Sequence, residues 1–308
     1  MIWKILAVAI GISAVVVLGG VLYEDAPRDG DNVADVVMLM GQSNAMYRAA
    51  NADWSIVEPA PEGMAYYFGR GDRPNYINQT YPFCTIHPMT VDGRSVLAEK
   101  WPALASAYID ATGHKVVLTN AARGSQSIRA FSPTLPGQYW DDACGIAKGT
   151  VEAMKAYGLE LGTFHVVWIQ GEHDNAIMSA EDYKDRLLEL GTTILNGGLG
   201  VKVAGPIWVS QTRGEGGATT AQAELAAEKP GMFQITTVVQ SFTIANGLMS
   251  SDDLHYSQAG NNILGEAIGS GLGESVHDAD RTDRALWGII GIGVIFVIAA
   301  ACLAIYRR

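Results

Sequence analysis

Val36-Val37-Met38-Leu39-Met40-Gly41-Gln42-Ser43-Asn44 is the stretch on which the reading of the fold turns. Val36 to Met40 carry no charged or hydrogen-bonding side chain, which suits a strand buried on both faces of a parallel sheet. Gly41 lets the chain leave that strand through a sharp bend that a Cβ would resist. Ser43 then arrives at the carboxyl end of a central strand, where open α/β sheets place their ligands. Asn44 to Ala50 could begin a helix, whose free N–H groups would favour negative charge beside Ser43. The plainer alternative is a buried strand followed by an ordinary Ser/Asn turn.

Working outward, apolar runs alternate with helical patterns. Strands are expected at about residues 33–40, 115–119, 164–169, 201–209 and 233–239. Helices are expected over 95–112, 141–157, 179–196, 219–228 and 257–268, with Ser179 and Asp182 opening the third as a capping box. Strand–helix alternation predicts an α/β fold, a doubly wound parallel sheet in three layers. Residues 51–94 lack periodicity and are rich in Pro, Gly and aromatics, so they read as a long functional loop. Its aromatic faces either line a cleft suited to sugar rings or pin the loop to the body.

Both ends of the 308-residue chain are apolar: Ile5–Tyr23 and Ala285–Tyr306 carry no charge. Each is long enough to cross a bilayer, and Trp3, Tyr23, Trp287 and Tyr306 flank them as interfacial aromatics do. Lys4, Arg307 and Arg308 at the outer ends predict both termini in the cytoplasm and the middle on the far side. A cleaved signal peptide is the alternative for the first segment, although no small-x-small cleavage site precedes Glu24. The expected organisation is an anchor at 1–23, a linker at 24–32, a domain at 33–275, a linker at 276–284 and a second membrane helix at 285–306.

Residues 24–284 hold 18 basic and all 32 acidic side chains, a net charge of −14. That balance argues against nucleic acid as a partner, because phosphate binding needs clustered Lys and Arg. Cys84 and Cys144, in the exported part, are expected to pair as a disulfide, the alternative being two unrelated buried thiols. No cysteine or histidine spacing suggests a metal, and no cofactor is expected.

Four polar segments follow strands or close the domain: Gly41–Asn44, Ala122–Ser125, Gln170–Asp174 and Asp252–His255. Together they supply what acyl transfer needs: a nucleophile, a base, a group to orient the base, and donors for an oxyanion. Ser43 is the candidate nucleophile, His255 the base and Asp252 its orienting carboxylate, the last two close enough in sequence to share one loop. The N–H groups of Ser43 and Gly124 and the amide of Gln170 are the candidate oxyanion donors. Gln42, Asn44, Glu172 and Asp174 are supporting candidates, more suited to bracing the Ser43 turn than to acid–base work. Arg123 reads either as a contact for an acidic substrate or as a partner of a surface carboxylate. Asp253 reads as a solvated neighbour of Asp252.

These blocks resemble those of SGNH-type hydrolases, and most of all the sialate O-acetylesterase and acetylxylan-esterase-like branch. The resemblance rests on Gly41-Gln42-Ser43-Asn44, on Trp168-Ile169-Gln170-Gly171-Glu172-His173-Asp174, and on Asp252-Asp253-Leu254-His255 with Gly260 in the following helix. It spans about residues 33–270. It implies a flavodoxin-like fold and a serine esterase that removes O-acetyl groups from a carbohydrate, a polysaccharide or a sialic-acid-type glycan. Joined to the apolar ends, this gives the expectation of a membrane-anchored enzyme acting on an external substrate. Arg123-Gly124-Ser125 departs from the family's usual Gly-Gly-Thr/Ser, and Gln170 replaces the Asn found in SGNH enzymes at large. A lipid or aryl esterase, or a glycan-binding protein without catalysis, are the competing readings.

Overall fold

Seven strands line up in the order β3-β2-β4-β1-β5-β6-β7 in a computed structural model that describes residues 32–46, 60–69, 84–89, 100–135 and 138–276. These residues belong, up to Ser275, to one compact unit, Gly30–Ser275. The strands are β1 Val33–Gly41, β2 Ala65–Gly69, β3 Thr85–Pro88, β4 Lys115–Asn120, β5 Glu160–Ile169, β6 Ile207–Ser210 and β7 Phe233–Thr236. The helices are α1 Lys100–Thr112, α2 Gln138–Tyr157, α3 Ala180–Leu195, α4 Gly217–Glu228 and α5 over 258–276. All pairings are parallel except β2 with β3.

The hydrophobic pattern explains the layers. Ala34, Val36, Met38 and Met40 of β1 join the core shared with Trp140, Ala143 and Ile146 of α2, Leu187 and Leu190 of α3, and Leu225 of α4. The alternate residue Asp35 faces the opposite way, where it accepts a hydrogen bond from Tyr108 of α1 at 2.7 Å. Trp101, Leu104, Ala105 and Tyr108 recur at helical spacing and are fully buried. Gly269 of α5 lies against Leu104 and Tyr108, so α5 shares the α1 face. Ser179 caps α3 by accepting from the Asp182 N–H at 3.1 Å, as the capping pattern predicts.

Setting aside the β2–β3 addition, the strand order β4-β1-β5-β6-β7 is the flavodoxin-like 2-1-3-4-5. The order reverses at β1, between β4 and β5. The crevice at such a point, beyond the carboxyl ends of the strands, is where the Ser43 and Gln170 segments emerge.

Several expectations need correction. The described residues of 51–94 include two strands instead of loop throughout, and Tyr66, Tyr67 and Phe68 are buried in β2, fastened to the body; Trp54, Tyr76, Tyr81 and Phe83 lie outside the described residues. Those strands are short, and their partners lie far along the chain, so local periodicity did not reveal them. Strand β6 is shorter than expected, and the chain after β7 turns into a 3₁₀ helix at Val238–Ser241. Cys84 and Cys144 form no disulfide. The Cys144 thiol faces the Gly198 carbonyl at 3.4 Å, and burial pushes its pKa up, so it is a quiet thiol in a helix. The apolar segments 5–23 and 285–306 lie outside the described residues. Among the described residues no helix is long and apolar enough to cross a membrane.

Candidate active site

Gly41 ends β1 at φ 127°, and a Cβ there would run into the Ile169 carbonyl of β5. Only glycine lets the strand end so close to its neighbour, and the Gln42 N–H bonds that same carbonyl at 2.9 Å. Residues 43–46 then form a single tight turn, closed by Ala45 N–H to Gln42 O at 2.9 Å and Met46 N–H to Gln42 O at 3.1 Å. Ser43 sits in this turn.

The second segment leaves β4 beside it. Asn120 donates from Nδ2 to Ala45 O at 2.6 Å and accepts at Oδ1 from the Ala122 N–H at 2.8 Å. Arg123 N–H continues the line to Gly41 O at 2.8 Å. This delivers Gly124 against the Ser43 turn, where a Cβ on Gly124 would lie 4.0 Å from the Ser43 Cβ and 3.4 Å from Met46 Sδ. Among the described residues neither the Ser43 nor the Gly124 N–H has a hydrogen-bond partner. Arg123 itself is occupied: it bonds Asp142 at 3.0 Å and stacks over the Tyr139 ring at 4.7 Å. The carboxylate it meets is therefore one of the protein's own.

The fourth segment builds its own pair. Asp252 accepts at Oδ1 from the N–H groups of Leu254 and His255, both at 3.0 Å. Its Oδ2 lies 2.7 Å from His255 Nδ1. Burial opposes charge on Asp252, but the hydrogen bonds from the His255 ring and backbone and from the Leu254 N–H prevail and lower its pKa to about 2. An ionised carboxylate carries no hydrogen, so the one between them is on Nδ1. The neutral ring then keeps Nε2 as an acceptor.

Asn44 joins the first and fourth segments. Its Nδ2 donates to Leu254 O at 3.1 Å and to Glu172 Oε1 at 2.6 Å. The neighbours of Ser43 and of His255 are thus bonded to each other. No hydrogen bond links the Ser43 hydroxyl to the ring itself among the described residues. Burial raises the Glu172 pKa in spite of the Asn44 bond, and Glu172 Oε2 is sealed from solvent without a partner. Gln42 braces the third segment, accepting at Oε1 from the His173 N–H at 3.1 Å.

Gln170, whose amide is a candidate oxyanion donor from its place in the sequence, is engaged by protein groups in this structure. It is 1% exposed, and both hydrogens of its amide are committed, to Asp174 Oδ2 at 2.7 Å and Gln126 O at 3.0 Å. Its Oε1 accepts from the Tyr183 hydroxyl at 2.7 Å, while its backbone carbonyl takes Gln222 Nε2 at 2.7 Å. Asp174, fully buried, also accepts the Ile128 N–H at 2.7 Å. Gln170 and Asp174 therefore form the floor beneath the site. Tyr183, in the first turn of α3, and Gln222, midway along α4, complete that floor, and no motif in the sequence marks either of them.

Asp253 is also not merely solvated: Arg213 Nη2 reaches its carbonyl oxygen at 2.5 Å and its Oδ1 at 2.9 Å. Of the other described histidines, His173 stands in the third segment beside Gln42, and the remaining three are placed elsewhere. His87 stacks on Tyr67, His114 bonds Asp35, and His165 is buried between Thr163 and Ala204. Among the described residues no group of three His, Cys, Asp or Glu side chains could hold a metal ion.

The family model described as "Carbohydrate esterase, sialic acid-specific acetylesterase" matches residues 33–272. The chain belongs to this family. It is accordingly a carboxylic ester hydrolase. Solved structures agree on the fold. A protein from Arabidopsis thaliana superposes with a TM-score of 0.52 at 17% identity, over 78% of this chain and 97% of its own. The protein NanS superposes with a TM-score of 0.53 at 13% identity, over 83% of this chain and 99% of its own. No curated protein sequence matches this chain.

Proposed function

We propose that this acetylesterase-family chain is a serine O-acetylesterase working through Ser43, His255 and Asp252 on an O-acetylated carbohydrate outside the cytoplasm. The observation that carries the reading is the Asn44 bridge. It ties the Ser43 turn to the loop in which His255 and Asp252 are already paired. The chemistry follows from these atoms. His255 Nε2 takes the Ser43 proton as Oγ attacks the acyl carbon, and the carbonyl oxygen becomes an oxyanion. The unpaired Ser43 and Gly124 N–H groups are donors for that charge. Collapse of the intermediate breaks the bond to the sugar oxygen, which receives the proton from His255. Water then attacks the acyl-serine, losing a proton to His255; collapse breaks the bond from the acyl carbon to Ser43 Oγ, which takes that proton back, and acetate leaves. Asp252 keeps Nδ1–H in place and stabilises the imidazolium throughout. In a free enzyme the serine–histidine hydrogen bond is often loose and tightens when substrate binds.

Two further elements of the proposal rest on other supports. The substrate class, a polysaccharide or sialic-acid-type glycan, follows the family's description. Membrane anchoring with both termini inside follows the apolar ends and the flanking Lys4, Arg307 and Arg308.

The test is a panel of 4-nitrophenyl acetate, butyrate and octanoate alongside O-acetylated sialic acid and acetylated xylan, with wild type and Ser43→Ala. Acetate release that Ser43→Ala abolishes is expected. Preference for octanoate over every acetyl ester would overturn the carbohydrate reading. A folded Ser43→Ala that still turns over would overturn the triad.

A further inference from the structure

The turn carrying His255 is closed on itself. Ser250 N–H bonds His255 O at 2.7 Å, Asp253 N–H bonds Ser250 O at 3.1 Å, and Asp252 Oδ1 accepts the two N–H groups after Asp253. Such a turn defines the Asp252–His255 pair but not where that pair stands relative to Ser43. Among the described residues, two side chains from outside bond residues 250–255: Asn44 at Leu254 O, and Arg213 at Asp253. The point that Arg213 holds is the strained one. Asp253 has φ 53°, a left-handed conformation that a residue with a Cβ adopts only at some cost, though Asp tolerates it better than most.

Arg213 is itself firmly based. Thr212 before it donates N–H to Gln222 Oε1 at 2.7 Å and Oγ1 to Gln170 O at 3.0 Å. Gln240 grips both neighbours, donating Nε2 to Thr212 O at 2.6 Å and accepting at Oε1 from the Gly214 N–H at 3.1 Å. The guanidinium therefore extends from a segment bonded to the carboxyl end of β5 and reaches across to the histidine turn.

We propose that Arg213 is a positioning residue, which fixes the His255 turn to the end of the sheet and so sets the distance from the imidazole to Ser43. This rests on the catalytic roles proposed above for Ser43 and His255. An arginine here is not required for a planar fork, because a single nitrogen meets both acceptors. A lysine ammonium could take its place at that point, unlike at a bidentate site.

The experiment is steady-state hydrolysis of 4-nitrophenyl acetate by the full-length protein and its Arg213→Ala, Arg213→Lys and Ser43→Ala variants, with thermal unfolding of each. A misplaced base slows the chemical step more than it weakens binding. Arg213→Ala should therefore lose about tenfold in kcat with KM changed by less than about twofold. Arg213→Lys should keep at least about half of the wild-type kcat, because its ammonium can meet the same two oxygens. Wild-type kcat in Arg213→Ala, or an equal loss in Arg213→Ala and Arg213→Lys, would overturn the proposal. So would failure of Arg213→Ala to fold, since the residue would then serve the whole fold. If Ser43→Ala is inert while Arg213→Ala matches wild type, the positioning role alone falls. If Ser43→Ala is active, the triad reading falls with it.

Discussion

Replacing Gln170 by alanine separates two roles that the sequence motif alone cannot. In the structure the amide links Asp174 Oδ2 at 2.7 Å, Gln126 O at 3.0 Å and the Tyr183 hydroxyl at 2.7 Å, all at a position 1% exposed. Truncation removes a hydrogen bond to a buried carboxylate, worth about 1.5–3 kcal/mol, and two bonds between neutral groups at about 1 kcal/mol each. Asp174 would keep the Ile128 N–H, while its Oδ1 already lacks a partner. The expected loss is about 3–5 kcal/mol of stability, or about 10 °C in melting temperature for a domain of this size. Turnover by the protein that remains folded should change little. A donor to the oxyanion would behave in the opposite way, costing about a hundredfold in kcat with little effect on melting. Calorimetry and acetate-release kinetics on the same preparation decide between them. A Gln170→Ala protein with wild-type melting and a hundredfold lower kcat would refute the argument.

Gly41→Ala should unfold the domain or lower its melting temperature sharply, because φ 127° and the Ile169 carbonyl both exclude a Cβ; a stable variant by calorimetry would contradict this. The Asp35 carboxyl is opposed by burial, but hydrogen bonds from His114, Tyr108 and Thr163 outweigh it and hold its pKa below the ordinary 3.8. A depressed folded pKa stabilises above the unfolded value and is lost as pH falls through the folded one. Asp35→Asn should therefore be less stable than wild type at neutral pH, with the gap narrowing below about pH 4 in urea titrations. With Cys84 and Cys144 unbridged, reductant should leave the melting temperature unchanged, and mass spectrometry after alkylation in denaturant should find both thiols modified without prior reduction.

What the amino-acid order determined by itself is what depends on near neighbours. The run Val36–Met40, apolar throughout and bounded by Gly41, reads as a strand buried on both faces, and it is one. Ser179 caps α3 through a bond three residues long, and Asp252 meets His255 across the same spacing. The segments bearing Ser43, Gly124 and His255 were legible for the same reason: each ends a strand or closes a turn that its own residues specify. Tertiary structure decided the remainder. Whether Gln170 faces the crevice or the floor depends on Tyr183, 13 residues away, and Gln222, 52 residues away. Asp253 gains its partner from Arg213, 40 residues earlier, and Arg123 finds Asp142 on α2. Hydrogen bonds of this kind carry no periodic signal along the chain. They are satisfied or orphaned only when strands and helices are stacked, and burial then leaves each polar group to find whichever partner the packing has brought within 3 Å or so.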